Sequence, residues 1–186
     1  MKTYDELKKL FETANKKFIK DDIDLFNSLA SERALCGALM LHLNKQMMIN
    51  HKYDGYYSDV EYNRNRGNIK TIVKTIMGPE MKIIKVTCDL IIHSRGKHPE
   101  QDNLIAIEMK KSTRPLAEKI KDKDRLIALT KDTYDDVWSY DGVTLPEHVC
   151  GYAIGIYYEI NCQTAQIYLE YYQRGECVDI KIMSFK

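Results

Sequence analysis

At 186 residues the chain is long enough for one domain with a full core and too short for two comfortable ones. Its 28 lysines and arginines against 27 aspartates and glutamates leave a formal charge of +1, which excludes a bulk polycation and confines nucleic-acid affinity to local patches. The five cysteines, at 36, 88, 150, 162 and 177, contain no CxxC pair, so they read as reduced thiols of a cytoplasmic protein rather than zinc ligands.

The start, MKTYDELKKLFETANKK, has no apolar leader segment and no run in the chain approaches ~18 apolar residues, so neither export nor a membrane is expected. Residues 4–20 place Leu7, Leu10, Phe11, Ala14 and Phe18 at spacings of three and four, an amphipathic helix whose lysines form a solvated face. A second helix is expected over 28–47, with Ser28 or Ser31 as N-cap. Glu32 opens its periodic part in the angular sector of Leu35, Leu39 and Leu43, so this acid points toward the packed side. Its simplest role is an acid in the first turn, favoured by the helix dipole. His42 on the same helix reads as a packed histidine.

Tyr56 to Tyr62 alternates as a strand, with Asp59 and Glu61 on one face. Glu61 is expected either to reach a neighbouring site or to pair with Arg64 or Arg66. In the segment that follows, Arg64, Arg66, Lys70 and Lys74 are candidate phosphate contacts.

Val86 to Lys111 reads as a hairpin: VTCDLIIH, a turn region with Gly96, Pro99 and Asn103, then NLIAIEMKK. Side chains alternate along a strand, so Glu108 and Lys110 share one face while Ile107 and Met109 share the other. Asp89 interrupts a run otherwise suited to burial. A carboxylate there costs several kcal/mol, roughly, unless it is neutralised, paired or metal-bound. The competing reading of Asp89, Glu108 and Lys110 is a cross-strand ion pair on a sheet face.

Pro115 starts a helix that uses Leu116, Ile120, Leu126, Ile127 and Leu129 for packing. The stretch from Lys110 to Arg125 is the most basic of the chain, diluted by Glu118, Asp122 and Asp124. Residues 130–150, with Asp141-Gly142, Pro146 and the single Trp138, form a long connection. Three strands follow: Gly151–Ile160, AQIYLEYYQRG and Cys177–Phe185, the last with Asp179 and Lys181 as its solvated face. The tyrosines here suit half-buried sheet surface better than base stacking.

An Asp near the end of one strand, a hairpin, and Glu108-Met109-Lys110 on the next resembles the signature of the PD-(D/E)XK nuclease superfamily, with Cys88 where the leading proline stands. Other acid-x-lysine triplets, at Glu6, Glu80 and Asp179, lack an acid in a partner strand at hairpin distance. The flanking segments VEYNRN, IIHSRG, DRLIALT and GYAIGIYYEI are similar to a small bacterial branch of that superfamily, over residues 30–172. The resemblance implies one restriction-endonuclease-like α/β domain over 1–186, a central mixed β-sheet with helices 4–20 and 28–47 packed on it. It implies a metal-dependent nuclease that hydrolyses DNA with Mg2+, Mn2+ being the substitute. Asp89, Glu108, the carbonyl of Met109 and Glu32 would hold metal, and Lys110 would act with these acids in catalysis. Pairing as a homodimer is a further family habit. A second reading keeps the fold and drops the reaction: a catalytically inactive binding or assembly module.

Overall fold

A computed structural model describes residues 1–61, 88–132 and 150–185 in full, and the strand backbone at 64–65, 68–69, 71–75 and 81–85. Trp138, the connection around it and the side chains of Arg64, Arg66, Lys70 and Lys74 lie outside the described residues. In chain order the elements are helices α1 (Tyr4–Asp21), α2 (Ile23–Asn27) and α3 (Glu32–Met48), then β1 (Tyr57–Val60). Two short hairpins follow, β2 (Arg64–Asn65) with β3 (Asn68–Ile69) and β4 (Thr71–Thr75) with β5 (Met81–Lys85). Then come β6 (Leu90–His93), β7 (Asn103–Lys111), α4 (Leu116–Thr130), β8 (Ile154–Asn161), β9 (Gln166–Gln173) and β10 (Glu176–Ser184).

Six strands form one sheet in the order β1-β6-β7-β8-β9-β10. All pairs are antiparallel except β7 with β8, which run parallel and are joined through α4, so the sheet is mixed. The fold class is therefore α/β, with α1 and α3 on one face and α4 on the other. The larger core lies under α1 and α3, where Leu7, Phe11, Phe18, Leu35, Leu39 and Leu43 meet Ile105, Ile107, Met109, Ile156 and Tyr158. The smaller one, Ala106, Leu126, Leu129, Tyr157 and Tyr172, lies under α4. Among the described residues, no helix is long and apolar enough to cross a membrane.

Local sequence explains the helix starts. Thr3 accepts from the Glu6 amide and Glu6 accepts from the Thr3 amide, a reciprocal capping box at the head of α1. Ser31 caps α3, so the second helix begins at Glu32 rather than 28; Ser28 instead closes the short α2, and Leu29 leaves it with φ of 56°. The phase of α4 also differs from expectation. Leu116 and Ile120 are exposed, while Asp122, Leu126 and Leu129, at spacings of four and three, form the packed face.

Helix α4 comes close to β8 because Gly155 carries no side chain. A Cβ there would stand 2.9 Å from Thr130 Cγ2, 3.2 Å from Tyr172 Cβ and 3.4 Å from Leu126 Cδ2. Gly155→Ala is expected to cost about 1–3 kcal/mol by overpacking, read as a lower midpoint in urea unfolding with an unchanged slope.

Candidate functional site

The β6–β7 register pairs Ile91 with Ala106 and Leu90 with Ile107. One step further along each strand, Asp89 comes level with Glu108. Ser112 donates its amide to Ile160 of β8, so by alternation the even residues of β7 bond toward β8 and the odd ones toward β6. Among the described residues no strand pairs with β7 beyond Ile107 on the β6 side. Two carboxylates fill the gap. Asp89 Oδ2 accepts from the Met109 amide at 2.8 Å, and Glu32 Oε1 accepts from the Lys111 amide at 2.9 Å. The Met109 carbonyl belongs to the same edge, between these two amides, and Lys110 Nζ lies 3.5 Å from it.

Glu108 and Lys110 project to the α4 side. Lys110 Nζ stands 3.8 Å from Asp89 Oδ2 and 3.0 Å from Asp122 Oδ2 of α4, so the ammonium bridges the hairpin and the helix. Glu108 is wholly buried. Its Oε1 accepts from Arg125 at 2.5 Å and from the Cys88 thiol at 3.2 Å, while its Oε2 has no hydrogen-bond donor among the described residues. Arg125 also lies 3.3 Å from Asp122. Asp122 Oδ2, buried too, has Lys110 at ion-pair distance but no donor in hydrogen-bonding alignment.

Asp89, Glu108 and Asp122 thus share two cations, Lys110 and Arg125, a formal excess of one negative charge when all are ionised. Burial raises the Glu108 carboxyl to about 8, against the pull of Arg125. Burial likewise raises Asp89, opposed by Lys110 and the Met109 amide. For Lys110 burial works downward, but Asp89 and Asp122 outweigh it and hold the ammonium above its ordinary value.

Glu32 sits beside this cluster but is committed elsewhere. Arg114 takes both its oxygens, at 3.0 and 3.1 Å, and with the Lys111 amide it holds the carboxyl below its ordinary value despite burial. It fastens the head of α3 to the end of β7. Glu61 does not reach the cluster: β1 stops at Val60, Glu61 turns out with φ of 49°, and it makes a two-bond pair with Arg33, 2.8 Å at each oxygen. His42 is packed against Phe18 and bonded to Asp22 at 2.6 Å. The basic stretch is largely consumed internally, Lys119 by Glu159 and Lys123 by Glu170.

Asp122 and Arg125 are the site residues that sequence reasoning missed. The signal was present, since Asp122 lies four residues before Leu126 and seven before Leu129, on their helical face.

Among the described residues, no three His, Cys, Asp or Glu side chains stand close enough to form a metal cage by themselves. The donor set nevertheless suits a hard cation held partly by the protein: carboxylate oxygens, a backbone carbonyl on the β7 edge, and one buried Glu108 oxygen that lacks a donor among the described residues. No family model, curated protein or solved structure matches this chain.

Proposed function

We propose that this chain is a magnesium-dependent phosphodiester hydrolase with a restriction-endonuclease-like fold, acting on DNA. The observation that carries the reading is the meeting of Asp89, Glu108 and Lys110 at one end of the β6–β7 hairpin, with the Glu108 Oε2 buried and without a donor among the described residues. Asp89, Glu108 and the Met109 carbonyl would hold the cation, and Glu32 stands one amide further along the same edge. When bound, magnesium supplies positive charge to the phosphate oxygens and brings water and substrate into one shell.

The chain's own groups do the rest. Lys110, kept charged by Asp89 and Asp122, stabilises the negative charge that grows on the phosphate in the transition state. Asp122 limits the swing of that ammonium, and Arg125 limits the swing of the Glu108 carboxyl. Asp89, part-exposed at the mouth of the cluster, fixes the Met109 amide and so the orientation of its peptide.

One observation favours the second reading, a nuclease fold used for binding or assembly without cleavage. The Glu108 carboxyl is fully enclosed and already has Arg125 as a counter-ion. The two readings separate in an assay of DNA cleavage with and without Mg2+. Hydrolysis that requires the metal and drops by about 10²-fold or more in Asp89→Asn, with the unfolding midpoint retained, supports the enzyme. Asp89→Asn that cleaves as well as the parent chain sinks the proposed site.

A further inference from the structure

The two helices that cover one face of the sheet turn different sides outward. On α1 the outward positions are Lys9, Thr13, Lys16 and Lys20, at spacings of four and three, with Lys17 beside them, all exposed. That is the ordinary pattern of a surface helix. On α3 the same count gives Ala34, Gly37, Leu41, Lys45 and Met48. Only Lys45 in that row is charged, although Leu35, Leu39, Leu43 and Met47 already bury the opposite side. Leu41 is 55% exposed, Met48 82%, and Ile49 at the end of the helix 73%. A helix that is apolar on both sides is built to be covered on both.

The two rows lie next to each other. α1 and α3 run side by side, tied by Asp22 to His42 and by Glu6 to Lys52. Lys8 and Lys52 are spent on carboxylates of the chain, whereas Lys9, Lys16, Lys17, Lys20 and Lys45 pair with no carboxylate among the described residues. The exposed acids of α1, Asp5 and Asp21, stand at its two ends. An apolar row on one helix therefore has a cationic row along its flank.

We propose that α3 and α1 together form a docking face for an acidic amphipathic helix of another protein. The apolar stripe of that helix lies along Ala34, Leu41 and Met48, and its carboxylates meet the lysines of α1. Ala34 to Met48 spans ~21 Å, so a partner of about four turns covers the row. A nucleic acid would use the lysines and leave Leu41, Met48 and Ile49 uncovered. A lipid surface takes up side chains that protrude, but the head of this row is low: a Cβ on Gly37 would meet nothing within 4 Å, so a second helix can approach closely there. The docking needs no cleavage and does not depend on the hydrolase reading.

Fluorescence anisotropy tests this with a labelled synthetic peptide of about 18 residues, leucine and alanine on one helical face and glutamate on its flanks. The full chain is expected to bind it reversibly, and less tightly as salt rises. A scrambled peptide of the same composition should bind at least about tenfold more weakly. Leu41→Gln, changed at an exposed position and therefore expected to keep its unfolding midpoint, removes apolar contact and weakens binding at least about tenfold. Lys16→Glu with Lys20→Glu weakens it as much and flattens the salt dependence. A chain that fails to bind the peptide, that holds the scrambled peptide equally well, or that keeps its affinity in Leu41→Gln would overturn the proposal. So would tighter binding to phosphatidylserine vesicles that is lost in Leu41→Gln, which would make the face a membrane contact.

Discussion

Arg125→Met is expected to destabilise the fold by an amount that grows with pH, about 1.5–3 kcal/mol near neutrality and about 3–5 kcal/mol in alkali. Methionine keeps the bulk of the arginine stem, so the change isolates the charge. The size follows from Glu108, which is wholly buried and has Arg125 as its cation. Its carboxyl is raised to about 8 by burial, above the ordinary 4.5. Between those values the unfolded chain has lost this proton and the folded chain keeps it, so stability falls as pH rises through that window. Asp89, also raised, acts in the same direction. In the parent chain the Glu108 contribution levels off above about 8, because Arg125 then faces an ionised partner. Without Arg125 the carboxyl must stay protonated to higher pH, and the fall continues. Urea unfolding of both proteins from pH 5 to 9 should therefore give curves that run nearly parallel at first and diverge in alkali. A constant gap across the range would mean that Arg125 contributes packing and no charge compensation.

Lys110→Ala should have the largest effect on activity, a loss of about 10²–10³-fold in DNA hydrolysis. It removes the positive charge that lies between Asp89 and Asp122, and it leaves a buried Asp122 facing Arg125 alone on that side of the cluster. Lys110→Arg keeps the charge and should recover part of the rate, limited by the bulk of the guanidinium. The pH profile carries the finer test. Since its two acids hold Lys110 above its ordinary 10.5, it is an ammonium throughout the neutral range. A group acting through its charge gives no limb near neutrality and loses activity only in strong alkali. A rate that climbs as Lys110 deprotonates would identify it as a base instead.

What could be read from sequence, and what could not, divides along physical lines. Asp89, Glu108 and Lys110 were legible because strand alternation and a hairpin fix which side chains become neighbours with little help from the rest of the chain. Asp122 and Arg125 were not. The apolar residues of α4 offer two phases, and Leu116 and Ile120, both exposed, pointed to the wrong one. Only the close approach at Gly155 and the position of the sheet decide between them. β10 gives the same lesson in a strand. Its alternation was plain, but a period of two does not say which face is covered. The expected solvated pair, Asp179 and Lys181, proved to be tied to α1, and Ile180 and Ile182 are the exposed ones. Glu32 was correctly placed on the packed side, yet its Arg114 partner comes from 82 residues away and no local pattern announces it.

Manganese, which replaces magnesium and scatters anomalously, tests the central claim most directly when soaked into crystals of the parent chain and of Asp89→Asn. The account predicts an anomalous peak within bonding reach of Asp89, the Glu108 carboxyl and the Met109 carbonyl, and its loss from the variant. A peak bound elsewhere, or a cluster that stays metal-free while Lys110 and Arg125 keep their carboxylate partners at saturating manganese, would contradict it.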